Sequence, residues 1–128
     1  MKKIILFLLI SNSFISCVTV QNKNITNKET EYWNKKPDLS KIAYEGGDGK
    51  SIEKSIIIKF AVTELDGVAA EYAYISKIHG IKFSDWKPVG QSTITEKNQK
   101  YDLVKIQTIT KNEIIEFYFN ITEFYGKF

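Results

Sequence analysis

Side chains that form covalent or metal bonds are scarce in this sequence. Its 128 residues include one cysteine, Cys17, and one histidine, His79. A single cysteine excludes a disulfide within one chain, and the two residues together are too few for a zinc site built from cysteine and histidine. We therefore expect no metal and no cofactor, which leaves the carboxylates for any acid–base chemistry.

One set of residues is a candidate for such chemistry. Asp66, Glu71 and His79 fall within or beside a predicted helix, and Asp48 lies in a glycine-rich loop before it. A small ligand-binding or hydrolytic domain would need these side chains to converge on one cleft. The three helix residues also have a structural explanation, because carboxylates near the start of a helix and a histidine at its end interact favourably with the helix dipole. We expect no catalytic residue and keep this site as the alternative.

The glycine-rich loop is the candidate binding loop. Its residues are Gly46, Gly47, Asp48, Gly49 and Ser51. Backbone N–H groups in such a loop can form a concave anion site. The pattern is not a P-loop, because Tyr44 occupies the position of its first glycine and the loop precedes a strand. The alternative is a turn whose glycines adopt positive φ.

An exposed aromatic patch is the third candidate. Tyr101 and Tyr118 alternate with apolar residues in two predicted strands, which places both rings on the polar face of the sheet. Such a patch suits a protein or glycan partner.

The first residues have the layout of a secretory signal peptide. Lys2 and Lys3 are followed by the apolar run 4–10 and by small and polar residues up to Cys17. The apolar run is shorter than the roughly 20 residues that span a bilayer. The alternatives are an ordinary signal peptide that leaves Cys17 as a free thiol, and a buried N-terminal helix.

The sequence Phe14-Ile15-Ser16-Cys17 resembles the lipobox of bacterial lipoprotein precursors. Phe14 stands where that family has an aliphatic residue. The resemblance implies that residues 1–16 are removed and that Cys17 is acylated, which anchors the protein to a membrane of the cell envelope. The sequence Val18-Thr19-Val20 carries no acidic retention signal, which favours the periplasmic face of the outer membrane in a Gram-negative cell.

The rest of the chain predicts a tether and one α+β domain. Residues 17–43 are interpreted as a lipidated N-terminus and flexible tether, and residues 44–128 as the domain. We predict one strand over 56–61, a helix that Asp66 caps and that ends before Gly80, and then a three-strand antiparallel meander. Its strands are predicted at 89–95, 100–110 and 113–121, with the helix packed on one face of the sheet.

Charge argues against nucleic acid as a partner. All 18 basic residues are lysines, and the formal net charge is +3. Without Lys2 and Lys3, the excess of lysines over acids falls to one, which is too small for the basic surface that nucleic-acid binding requires.

The mature region is also similar to small uncharacterised bacterial domains. The similarity rests on a Gly-Gly-Asp-Gly-x-Ser loop, an Ala-Ala-Glu-Tyr helix segment and a closing Phe-x-Ile-Thr-x-Phe-x-Gly-Lys, which here are residues 46–51, 69–72 and 119–127. This resemblance implies no activity. We expect a non-enzymatic module that offers an open sheet face or an edge strand to an envelope protein, as an inhibitor or immunity factor. The alternatives are the ligand-binding or hydrolytic domain and a passive structural component.

Overall fold

A computed structural model describes residues 34–128, which form one compact unit. The predicted signal peptide, Cys17 and the tether up to residue 33 lie outside the described residues. The elements are β1 (Ala43–Gly46), β2 (Ile56–Lys59), α1 (Glu64–His79), β3 (Trp86–Glu96), β4 (Gln99–Thr108) and β5 (Ile114–Asn120). Within residues 34–128, no helix is long and apolar enough to cross a membrane.

The strands form a five-stranded mixed sheet in the order β1-β2-β5-β4-β3. β2 runs parallel to β5, with Ile56 opposite Phe119, and the other neighbouring pairs are antiparallel. The predicted fold of one strand, one helix and a separate three-strand antiparallel meander is therefore wrong. It lacked β1, and it did not foresee that β5 lies between β2 and β4.

The helix begins at a different cap from the one predicted. Thr63 is the N-cap, and its hydroxyl oxygen accepts from the Asp66 N–H at 3.3 Å. The Asp66 carboxylate in turn accepts from the Thr63 N–H at 3.1 Å. This reciprocal pair is a capping box, which satisfies N–H groups that the first turn leaves without helical partners. Asp66 is thus the third helical residue and not the cap.

The core lies between α1 and one face of the sheet. Ala70 and Ile75 of the helix pack against alternate residues of the strands. The buried strand residues of this cluster are Ile56, Ile58, Trp86, Val104, Ile106, Phe117 and Phe119. The other face of the sheet carries no helix among the described elements.

The strand predicted at 56–61 is shorter in the structure, where β2 ends at Lys59. Ile56 and Ile58 are buried and Ile57 is half-buried, so β2 lies inside the sheet, between β1 and β5. Phe60 then adopts φ of +67° and leaves the strand with its ring exposed. A positive φ is strained for a bulky residue, so the chain turns towards α1 at an energetic cost.

Candidate functional site

The structure fastens the glycine-rich loop to its neighbours. The Gly47 N–H donates to the Ser55 carbonyl at 3.1 Å, and the Gly49 N–H donates to the Lys54 carbonyl at 2.7 Å. The Lys50 N–H donates to the Asp48 carboxylate at 3.1 Å. These three N–H groups are therefore engaged within the protein. Gly46 and Gly49 adopt φ of +87° and +79°, the backbone role that the alternative interpretation gave the glycines.

The four residues of the predicted acid–base site do not converge. Asp66 closes the first turn of α1, and His79 lies thirteen positions later, about 20 Å along the axis at 1.5 Å per residue. The His79 ring packs edge-on against Phe117, with centroids 5.7 Å apart. Asp48 is exposed and forms an ion pair with Lys50 at 3.8 Å. No group of three or more histidines, cysteines and acids within residues 34–128 could hold a metal ion.

Asp66 has its own structural partners. Burial alone would raise its pKa, but hydrogen bonds from the Asp38 N–H and from Thr63 outweigh burial and lower the pKa. The Asp38 N–H lies 2.8 Å from the Asp66 carboxylate. This bond attaches the incoming chain to the first turn of α1.

Glu71 is the most perturbed ionisable group among the described residues. Its side chain is 0% exposed, and neither carboxyl oxygen has a hydrogen-bond donor among those residues. Burial raises the pKa of Glu71 to about 9, and the nearby Asp102 carboxylate adds to the effect. Glu71 is therefore protonated at neutral pH.

Asp102 is the partner that sequence reasoning missed. It accepts from the Gln91 amide at 2.9 Å and from the Thr93 hydroxyl at 2.7 Å. It shares the core face of β4 with Val104 and Ile106. That register was the available signal, because a carboxylate at an apolar position needs a buried partner. Both carboxyl groups are buried, so we assign the pair a structural role.

The predicted aromatic patch offers little ring surface. Tyr101 and Tyr118 lie on the face of the sheet away from α1. They are diagonal neighbours, because Tyr118 pairs with Leu103, two residues along β4 from Tyr101. Tyr101 is only 8% exposed, and its hydroxyl donates to the Gln99 amide oxygen at 2.7 Å. Tyr118 is half-buried. A shallow cleft of about 270 Å³ opens beside Tyr101, but the Asn120 amide also donates to Gln99, at 2.9 Å, so these polar groups satisfy one another.

A more exposed apolar surface lies at the opposite end of the helix. Ile81 and Phe83 follow α1 and are each 70% exposed. Three further exposed isoleucines come from the last turn of the helix, the end of β4 and the start of β5. They are Ile78, Ile109, which directly follows β4, and Ile114, which by alternation with Glu116 and Tyr118 lies on the helix-free face of the sheet. We call these five residues the apolar end.

Hydrogen bonds fix the loop that carries Ile81 and Phe83. The Ile81 N–H donates to the Asp85 carboxylate at 2.6 Å, and the Asp85 N–H donates to the Ile81 carbonyl at 2.8 Å. The buried Trp86 indole donates to the Gly80 carbonyl at 2.9 Å. The loop is also tied to β4, because the Ile109 N–H donates to the Asp85 carbonyl at 2.9 Å.

Phe83 itself is strained. Its φ is +67°, and its N–H donates to the Trp86 carbonyl at 2.6 Å. The left-handed region costs a bulky residue on the order of 1–3 kcal/mol. The ring gains little burial in return, because it is 70% exposed and the Lys82 ammonium lies 5.1 Å from its centroid. The signal for this exposed pair in the sequence is weak: two apolar residues alternate with polar ones just beyond a helix stop.

In comparisons with known proteins, no family model, curated protein or solved structure matches this chain.

Proposed function

We propose that this chain is an envelope lipoprotein, anchored through Cys17, that works as a non-enzymatic protein-binding module through its apolar end. The observation that carries the proposal is the fixed loop on which Ile81 and Phe83 stand 70% exposed. Exposed apolar groups of this size on a rigid support are typical of protein-binding sites.

The rigidity of the loop favours binding. Ordering a loop on association costs free energy, and a loop already held in one conformation avoids most of that cost. Here the Asp85 carboxylate and the Trp86 indole hold the loop by bonds of 2.6 and 2.9 Å. A partner that buries the exposed Phe83 ring would gain its apolar transfer energy.

The position of the apolar end fits a tethered protein. The chain enters the domain at the first turn of α1, where Asp38 is bonded to Asp66. The apolar end surrounds the last turn, and the 16 residues of α1 separate the two by about 24 Å. An anchor at Cys17 therefore leaves the apolar end available to a neighbouring protein, which it would meet at high effective concentration.

The charges around the apolar end define the partner further. Lys77, Lys82, Lys87 and Lys111 lie in the same segments. Of the acids there, the Asp85 carboxylate accepts from the Ile81 N–H, and Glu113 lies in the turn before β5. The Lys82 ammonium lies 4.0 Å from the centroid of the Tyr72 ring. A partner with an apolar pocket and an acidic rim would complement this surface.

Two other surfaces were expected from the sequence, and both are more polar. The helix-free sheet face carries the exposed ion pair between Lys105 and Glu116, with 3.2 Å between its charged atoms. Of the two edge strands, β3 contains Pro88 and a register shift next to it, and β1 has only four residues, features that protect an edge from pairing. Binding through either surface would leave the exposure of Phe83 unexplained.

The test uses two glycine variants of the full-length protein in its own bacterium. Phe83→Gly removes the central ring of the apolar end. Phe60→Gly is the matched control, because Phe60 has the same φ of +67° and is also exposed, but lies at the other end of α1. Cells are crosslinked, the protein is recovered with an antibody, and co-recovered proteins are quantified by mass spectrometry.

We expect one envelope protein to be recovered with the wild type and with Phe60→Gly, and about tenfold less of it with Phe83→Gly, as for loss of a hot-spot residue. Equal recovery with all three chains would mean that the apolar end is not the binding site. No protein above background would contradict the binding function itself.

A further inference from the structure

A second group of exposed apolar side chains surrounds the start of α1. Phe60 and Val62, between β2 and α1, are 59% and 70% exposed. Tyr125 and Phe128, in the segment after β5, are 45% and 80% exposed. We call these four residues the tether-end patch. It is distinct from the apolar end, from which α1 separates it.

Hydrogen bonds hold the two segments of the tether-end patch side by side. The Phe60 N–H donates to the Glu123 carboxylate at 3.1 Å. The Glu64 N–H donates to the Lys127 carbonyl at 2.7 Å, and the Gly126 N–H donates to the Glu64 carboxylate at 3.3 Å. The patch is therefore one surface formed by two distant parts of the chain.

The incoming chain joins the domain at this same surface. The Asp38 N–H is bonded to Asp66, three residues after Thr63, so the chain reaches the domain at the first turn of α1. Sixteen residues lie between Cys17 and Asn34. The sequence between an acylated Cys17 and the domain is therefore short, which keeps the point of entry close to the membrane.

Lysines flank the patch. The Lys100 ammonium lies 5.1 Å from the centroid of the Tyr125 ring. Lys59 forms an ion pair with Glu123 at 2.6 Å, and Lys127 is exposed beside Phe128. Lys35, Lys36 and Lys41 belong to the incoming chain and are also exposed. Aromatic rings bordered by lysines match the interface of a bilayer that contains anionic lipid.

We propose that the tether-end patch contacts the surface of the membrane to which the protein is anchored, with Phe60 and Val62 in the interfacial region. The contact would hold α1 with its first turn towards the lipid and its last turn away from it. This inference rests on the lipid anchor of the proposed function, and not on the identity of any protein partner.

The experiment measures the depth of a probe at each end of the domain. The acylated full protein is purified from membranes and reconstituted into vesicles that contain phosphatidylglycerol and brominated lipids. A fluorophore is attached through Val62→Cys in one sample and through Ile81→Cys in the other. Bromine quenches only probes that reach the acyl-chain boundary.

We expect the probe at position 62 to be quenched at least several-fold more than the probe at position 81. Quenching at position 62 should fall when Phe60→Gly is added or when phosphatidylglycerol is omitted, and should be unchanged by Phe83→Gly. Equal quenching at the two positions would overturn the inference while leaving partner binding intact. An intact mass that shows no acyl chains on Cys17 would overturn both the inference and the anchored function.

Discussion

At the scale of single residues, the buried Glu71 carboxyl group keeps its proton at neutral pH. Glu71 holds it because burial raises the pKa of this carboxyl to about 9, with Asp102 as its charged partner. In the unfolded chain Glu71 would titrate near its model value of 4.5. Since the folded pKa is the higher one, the folded state binds this proton more tightly. The contribution to stability is complete below about pH 4.5 and is lost as pH rises to about 9.

Glu71→Gln should therefore stabilise the protein at neutral pH. Glutamine matches the shape of the protonated acid, its amide can donate to Asp102, and it needs no proton from solvent. At pH 7 the free energy of unfolding should be about 3 kcal/mol higher in Glu71→Gln than in the wild type. This difference should increase by up to 1.4 kcal/mol for each unit by which the pH rises, until about pH 9. Urea unfolding of both chains between pH 5 and pH 8 measures the difference, and parallel pH profiles would contradict the raised pKa of Glu71.

Replacement of Phe83 or Phe60 by glycine should increase the stability of the domain while weakening the contact proposed for that ring. Both have φ of +67°, which glycine adopts without strain. Phe83→Gly and Phe60→Gly should each raise the free energy of unfolding by about 1 kcal/mol, which is the strain relieved less the entropy that glycine adds to the unfolded chain. Thermal unfolding at neutral pH measures both. A loss of stability in Phe83→Gly would mean that its ring supports the fold.

At the scale of elements, the fit of α1 against the C-terminal segment is close. Gly67 is buried in the first turns of the helix, and a Cβ there would overlap the ring of Phe124. Gly67 thus gives up the helix propensity of alanine, about 1 kcal/mol, so that Phe124 can pack against the helix backbone.

Gly67→Ala should destabilise the protein, because overpacking costs about 1–3 kcal/mol and exceeds the gain in propensity. The cost should shrink or reverse in a Phe124→Leu background, where the overlapping ring atoms are absent. Urea unfolding of the wild type, the two single variants and the double variant gives the coupling between the sites. Additive effects would show that the helix can move away from the ring.

The same elements separate what local sequence can predict from what it cannot. Helical spacing and strand alternation indicated α1 and the stretches that became β3, β4 and β5, because those patterns repeat within each element. The fold assembled from them was wrong. β1 has four residues, Ala43–Gly46, and depends on pairing with β2, while the parallel pairing of β2 with β5 joins segments far apart in the chain.

The candidate site was predictable only in part. The glycine loop, Asp66 and His79 were identified by residue type, but the first two have structural partners and His79 packs on an aromatic ring. Phe83 and Asp102 were missed. An exposed ring depends on how a loop is held, and a buried carboxylate depends on which side chain the helix places opposite it. Neither is encoded in local spacing.

At the scale of the whole molecule, residues 34–128 form a domain with exposed apolar side chains at both ends of α1. The tether-end patch lies where the chain enters, and the apolar end lies about 24 Å away along α1. We infer a division of labour in which the first faces lipid and the second faces protein. The sheet between them holds both in fixed relation, because α1 packs on β2, β4 and β5 through one core.

Photo-crosslinking in living cells tests whether a protein partner contacts position 83. A photo-crosslinking phenylalanine analogue is placed at position 83 of the full-length protein, and at position 60 as the control. We expect one discrete protein adduct from position 83 and none of that mass from position 60. No protein adduct from position 83, or the same adduct from both positions, would contradict this expectation.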